Sequence, residues 1–384
     1  MTFDIREDLR IQYYDSELEQ YVNITCDSYL IETDRGIEIE NNVFARPKIG
    51  TATVKLLKSN LDDLMTPLGP PYKSNDLFRI QVYISGLSFW MNLFSGVIQN
   101  IQMNYEKDSK KLAVTIVAND YMKIALNTRI NTFNIVSGSR SYINVMEQLG
   151  TAINSIDSRF ILSKRLSAPS STFQYQYSYL NSYSGELFAQ FLDAELGWMY
   201  ADKDNVIRYM ARGDIATMQA VPFTFAGEVV SNLHSNSANH ICMTDFNLMY
   251  NSDEMVNRVK VTDVFTGTIR TSANTASVNK YGSQLQDFEV NFDSTASGGT
   301  TLSQWALEIS TNASNPKRLS SVTVPVIRDN GEMSLIISND ICSPLNFYFA
   351  EGPDFIKEVS LISNLQHTIT PDYWELHIGL WRGV

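Results

Sequence analysis

The residues best equipped for chemistry are two histidines and a cysteine in the run NLHSNSANHIC. His234, His240 and Cys242 offer imidazole and thiolate donors of the kind that hold zinc. A zinc site needs three or four convergent ligands. No fourth donor accompanies these three, so the run reads as a polar loop. Carboxylate pairs stand at Asp62/Asp63, Asp202/Asp204 and Asp253/Glu254, and two convergent carboxyl groups are what glycoside hydrolysis uses. All three pairs fall in turn-like polar stretches, where Asp is favoured because its side chain bonds nearby backbone. Solvated turns are the better reading. The run DKDNVIRY lacks the glycine and closing glutamate of a calcium loop, and GxSxG, HExxH and P-loop patterns are absent. The expectation is a chain with no catalytic, cofactor-binding or metal site, and so not an enzyme. Of the other histidines, His367 sits in a strand-like run and is expected at a sheet or subunit contact.

Aromatic residues are plentiful, with 19 Tyr and 19 Phe. In STFQYQYSYLNSYSGELF the alternate positions Tyr175, Tyr177 and Tyr179 share one face of a strand. That spacing serves a protein or sugar contact surface and a plain sheet face equally. Phe89 and Trp90 lie in SGLSFWMN, read as a loop. The uncharged stretch Ile80–Tyr105 and the terminal IGLWRGV are candidate subunit interfaces.

The elements that must position these residues are mostly strands. ATVKLL and LFRIQVYI alternate apolar and polar residues, the mark of a strand with one buried face. Between them NLDDLMTPLGPPYKSND, with three prolines and a glycine, is a loop. Strands follow around Phe94–Gln102 and Leu112–Ala118, and Asp120 is placed to cap a short helix, YMKIALN. Over 131–225 the period changes. Ile143, Met146, Leu149 and Ile153 recur at helical spacing behind Ser141 as N-cap, and Leu187, Phe188, Phe191 and Leu192 mark a second helix ending near Gly197. WMYADKDNVIRYMAR reads as a hairpin turning at Asp202–Asn205. Beyond it, VNRVKVTDV, RLSSVTVPV, KEVSLISNLQHTI and YWELHIGLW read as strands and TLSQWALEIS as a helix with Leu302, Trp305, Ala306 and Ile309 on one face. The fold class is mainly β with an α+β insertion: two β-barrel, tube-like modules at 1–130 and 226–384 flank a small α+β middle domain at 131–225.

A chain of 384 residues, 44% hydrophobic and 19% charged, has the composition of a folded protein with room for two or three domains. The net charge of −12 excludes a sequence-independent duplex binder, which needs a basic surface to displace counterions. Cys26, Cys242 and Cys342 are far apart and suit buried small hydrophobes better than disulfides. The start MTFDIREDLRIQYYD lacks the basic and apolar regions of a secretory signal. Polar residues interrupt Ile80–Tyr105 too often for a membrane-spanning helix.

The ordered set VNITCDSYLIETDRG, ARPKIGTATVKLLKSN, LFSGVIQNIQMNY, VTIVANDYMKIAL, VNRVKV, ASVNKYGSQ, NPKRLSSVTV and LQHTITPDYWELHIGL resembles phage tail hub and baseplate proteins, a family that also includes hubs of contractile injection machines. LDDLMTPLGPPY replaces the family's usual segment after the GTAT strand. The resemblance implies a homotrimer whose six modules form a ring, continuing the hexameric tail tube above and narrowing to a threefold spike or tip below. The partners it implies are a tail tube or distal tail protein, a tape-measure protein and a central spike or tip protein, with DNA only in transit. It places the protein in the virion tail after synthesis in the host cytoplasm. A net negative charge suits a conduit for DNA. A receptor- or carbohydrate-binding tail adhesin and a tail-associated cell-wall hydrolase are the alternatives.

Overall fold

Strict alternation gives LFRIQVYI one dry face: Phe78, Ile80, Val82 and Ile84 are buried and the residues between them are half-exposed. The structure, a computed structural model, describes residues 8–24, 28–40, 43–58, 72–84, 88–106, 111–135, 140–164, 172–173, 177–211, 215, 223–227, 240–251, 255–290, 302–326, 337–351 and 354–381. The N-terminal part forms eight antiparallel strands: β1 (Leu9–Asp15), β2 (Gln20–Asn23), β3 (Ser28–Glu40), β4 (Phe44–Pro47), β5 (Thr51–Lys58), β6 (Leu77–Ile84), β7 (Phe89–Glu106) and β8 (Lys111–Asn119). Their spatial order is β2-β1-β6-β7-β8-β5-β3, with β4 folded back on the end of β3. Phe89 and Trp90, expected in a loop, instead open β7. Trp90 pairs with Tyr83, and the Arg10 guanidinium lies 3.9 Å above its ring. Ser88, at φ 56, donates its amide back to the Ile84 carbonyl just before β7 opens.

The chain then changes period. Helix α1 (Met122–Asn127) leads to β9 (Arg129–Ile135) and β10 (Arg140–Ser141), and α2 (Tyr142–Ile156) follows. Ser141 caps α2 as expected, accepting from the Asn144 amide at 3.3 Å, and Ile143, Met146, Leu149 and Ile153 are buried. After β11 (Leu162–Lys164), β12 (Thr172–Phe173) and β13 (Tyr177–Tyr183), helix α3 (Ser184–Glu195) buries Leu187, Phe188, Phe191 and Leu192. It ends with Leu196, not Gly197, in the left-handed conformation. The hairpin β14 (Trp198–Ala201) and β15 (Ile207–Met210) turns at Asp202–Asn205 as read from sequence.

The C-terminal part contains β16 (Phe223–Gly227), β17 (His240–Met243), β18 (Asp245–Asn251), β19 (Arg258–Asp263), β20 (Ile269–Ala273), α4 (Thr275–Tyr281), β21 (Leu285–Val290), α5 (Leu302–Asn312), β22 (Lys317–Pro325), β23 (Pro344–Glu351), β24 (Asp354–Ile369) and β25 (Trp374–Trp381). Helix α4 lies in the ASVNKYGSQ run, where no helix was expected. Asn274 caps it and Gly282, at φ 84, ends it.

The second sheet repeats the first. The order β6-β7-β8-β5-β3 has its counterpart in β23-β24-β25-β22-β18. In the long strands β7 and β24 the correspondence holds to the residue. The β7–β8 ladder slips between Ile98 and Asn100, and the β24–β25 ladder between Ile362 and Asn364. The bulged segments read IQNIQ and ISNLQ. Just before β6, the Asn75 amide donates to the Ile98 carbonyl; just before β23, the Cys342 amide donates to that of Ile362. Asn75 and Cys342 are both left-handed, at φ 74 and φ 68.

Two cores result. One runs through both large sheets, joining Phe78 and Phe94 to Phe347, Leu376 and Trp381. The other gathers α2, α3 and the sheet β20-β19-β21 under α5, with Trp305 against Phe44 and Phe288. Residues 256–313, read from sequence as part of the stretch 226–384, thus share their core with the helices of 131–225. Alternation tells a strand which face is dry, not which core covers it.

Candidate assembly interface

The two sheets become one where β24 outruns its neighbour. β23 covers Asp354–Leu361, and on the same edge β3 covers Asn364–Ile369, pairing antiparallel through Gly36–Ile31. The result is a single 15-stranded sheet. Ile31, Thr33 and Arg35 from β3 and Leu365, His367 and Ile369 from β24 lie at 0–4% exposure along this seam. Backbones approach closely at its end. A Cβ on Gly36 would stand 2.5 Å from the Ser363 carbonyl oxygen, so only glycine fits there. On the outer side Asn364 donates to Asp34 at 2.8 Å and Lys48 donates to the other Asp34 oxygen at 2.6 Å.

Arg35 ties the seam to the rest of the molecule. Its Nη1 meets Asp340 Oδ1 at 2.9 Å and the Ala201 carbonyl at 3.4 Å. The Lys203 amide donates to Asp340 Oδ2 at 3.3 Å, and Lys203 Nζ to the Ile337 carbonyl at 3.1 Å. The turn that carried the candidate carboxylate pair is therefore a clasp. Asp204 accepts from Asn92 of β7 at 2.7 Å and Asn205 from the Tyr121 amide at 2.7 Å. Asp202 holds the turn itself, accepting from the Asp204 and Val206 amides and from Arg208 at 2.6 Å. Trp198 stacks on Trp381, 4.9 Å between centroids, adding an aromatic bond between hairpin and second sheet.

Burial sets the charge states here. His367 accepts from Trp374 Nε1 at 3.1 Å through Nδ1. Burial first, and the Arg35 charge second, lower its pKa to about 3, so it is neutral with its proton on Nε2. Asp120 packs against Gly50, where a Cβ would stand 2.2 Å from its Oδ2. Burial pushes its pKa up to about 8, against the pull of the Gly50 and Met122 amides and of Arg35. Its Oδ1 accepts from the Met122 amide at 3.0 Å at the start of α1, near the capping role expected of it.

The remaining sequence candidates fall elsewhere. His234, Asp62, Asp63, Asp253, Glu254 and Tyr175 lie outside the described residues. His240, Cys242 and Tyr177 are described by backbone alone, in β17 and β13. Tyr179 is buried, with its hydroxyl 3.0 Å from Gln190 Oε1. His377 lies 3.3 Å from the Thr323 hydroxyl. Sequence reasoning expected His367 at a contact and found it there. It missed Arg35, Asp340 and Asn364, whose signal lies in partners 305 and 330 positions distant. Among the described residues no group of His, Cys, Asp and Glu is arranged to hold a metal, and no helix is long and apolar enough to cross a membrane.

No protein-family model matches the sequence, and no curated protein matches it. Solved structures do. The fold is that of phage tail proteins. The prophage MuSo2 tail protein from Shewanella oneidensis aligns over 98% of both chains, with TM-score 0.62 and 11% identity. A tail protein from Neisseria meningitidis aligns over 97% of this chain and 96% of its own, with TM-score 0.60 and 7% identity. A prophage tail protein from Listeria monocytogenes aligns over 96% and 94%, with TM-score 0.52 and 12% identity. At these identities the likeness is one of fold.

Proposed function

We infer that the chain is a structural hub of a bacteriophage tail tip or baseplate, acting as scaffold and not as catalyst. Three copies form a homotrimer, and their six modules make a ring that adapts the sixfold tail tube to a threefold spike or tip. The ring meets a tail tube or distal tail protein above and a spike or tip protein below, takes the end of the tape-measure protein, and encloses a channel for DNA. Residues 1–130 supply one module and 226–384 the other, while 131–225 sit outside together with the part of 256–313 that shares their core. The observation that carries this reading is the repeat of five strands, with the same bulge in each long strand, joined edge to edge at the β3–β24 seam. Two like units side by side in one chain are a third of a pseudo-sixfold ring, so three chains complete it, and closed symmetry is the rule for soluble oligomers. Likeness over nearly the whole length of tail proteins supports it. Light scattering on the purified protein, with class averages from electron microscopy, tests it. Trimeric rings with an open centre are expected; monomers at high concentration would refute it.

A further inference from the structure

The repeat specifies which edges remain to be paired. Each module contributes one long bulged strand (β7 or β24) and one strand at the end of the five (β3 or β18). Within the chain, β3 of the first module covers the second half of β24 of the second. Among the described residues the reciprocal pair is not made: the second half of β7, on the edge that β6 leaves, has no strand partner there, and β18 is paired with β22.

Exposure marks the same two edges. Tyr105 occupies the place in β7 that Ile369 occupies in β24, because the ladders align Val97 with Leu361 and Asn100 with Asn364. Ile369 is fully buried, whereas Tyr105 is 64% exposed. Phe246 of β18 corresponds to Ile31 of β3, since it pairs with Val322 as Ile31 pairs with Val54, and the equivalence runs to Asn247, after which the β18–β22 ladder slips. Ile31 is fully buried, whereas Leu248 and Met249, just past the slip, are 41% and 40% exposed. Large apolar side chains on an open strand edge are a template for another strand.

The geometry points to a second copy of this chain as the occupant: β18 of one copy pairs antiparallel with the Asn100–Tyr105 half of β7 in the next, reproducing the β3–β24 seam between chains. This rests on the ring proposed above and supplies its register. Carrying over Ile369 with Ile31 and Thr368 with Glu32 sets Tyr105 opposite Phe246 and Asn104 opposite Asn247, the last pair before the β18 ladder slips. Aromatic faces aromatic and amide faces amide. The contact is head-to-tail, so each copy offers one edge and receives on the other.

A chain carrying both Asn104→Cys and Asn247→Cys tests the register. Both positions are exposed in the single chain, and directly opposed residues bring Cβ atoms within disulfide reach. Mild oxidation is expected to give covalent dimers and trimers that collapse on reduction, with a 104–247 link in the mass spectrum. The parent chain controls for the three native cysteines. A chain with Asn104→Cys and Thr244→Cys, displaced three residues or roughly 10 Å, should not link. Leu248→Lys is expected to raise the trimer dissociation constant at least tenfold without lowering the melting temperature of the monomer. Trimers by light scattering that give no 104–247 link, or that link equally through position 244, would overturn this pairing and leave the ring standing. Monomers that never link would overturn both.

Discussion

Acid should loosen the seam through one imidazole. His367 is buried between β3 and the Trp374 ring, accepts the Trp374 indole N–H, and has its pKa lowered to about 3. Because the folded value lies below the ordinary value of 6.5, its contribution to stability is complete above about pH 6.5 and is lost as pH falls toward 3. At pH 4 the unfolded imidazole is almost fully protonated and the folded one mostly neutral. Folding must then strip a proton, at a cost of about 3 kcal/mol relative to pH 7. Protonation within the fold would turn Nδ1 into a donor facing another donor. His367→Gln removes the titration and keeps an acceptor for Trp374. Urea unfolding of both proteins at pH 7 and pH 4 reads the difference: the parent should lose about 3 kcal/mol more than the variant. Asp120 works in the opposite sense. Its folded pKa of about 8 exceeds the ordinary 3.8, so its contribution is complete below about pH 4 and is lost as pH rises through 8. Being present in both proteins, it cancels. Equal losses in parent and variant between pH 7 and pH 4 would refute the argument.

Two substitutions probe the same seam by other means. Gly36→Ala drives a methyl group into the Ser363 carbonyl and should cost about 1–3 kcal/mol, the range for overpacking, read as a lowered thermal midpoint. Arg35→Met strands Asp340 beside the Lys203 amide and should cost about 3–5 kcal/mol. Urea unfolding with added Asp340→Asn should then show a smaller loss than Arg35→Met alone.

What the sequence made legible was local. The helix behind Ser141 and the hairpin at Asp202–Asn205 follow from capping and turn chemistry acting over a few residues. The alternation in LFRIQVYI and YWELHIGLW was visible because one face of each strand is dry. The fate of 256–313 was not visible, because VNRVKVTDV has the same alternation whether its dry face meets a sheet or α5. The likeness of the two ends could be seen only loosely in sequence. It rests on ladder slips at Ile98 and Ile362 and on left-handed Asn75 and Cys342, where the shared sequence is as short as the I-x-N-x-Q of the two bulges. The Asp202/Asp204 pair was rightly read as a turn, but the work of that turn, holding Asn92 through Asp204 and Tyr121 through Asn205, depends on residues more than 80 positions away.

The duplicated frame carries an unequal load. Among the described residues, the short β4 is the one element between β3 and β5, whereas a sheet and two helices stand between β18 and β22. In the ring proposed above, every other unit would wear this outgrowth. An inner wall of six near-equals would then acquire an outer rim of three, the step from hexagon to triangle being supplied by one polypeptide before any neighbour arrives.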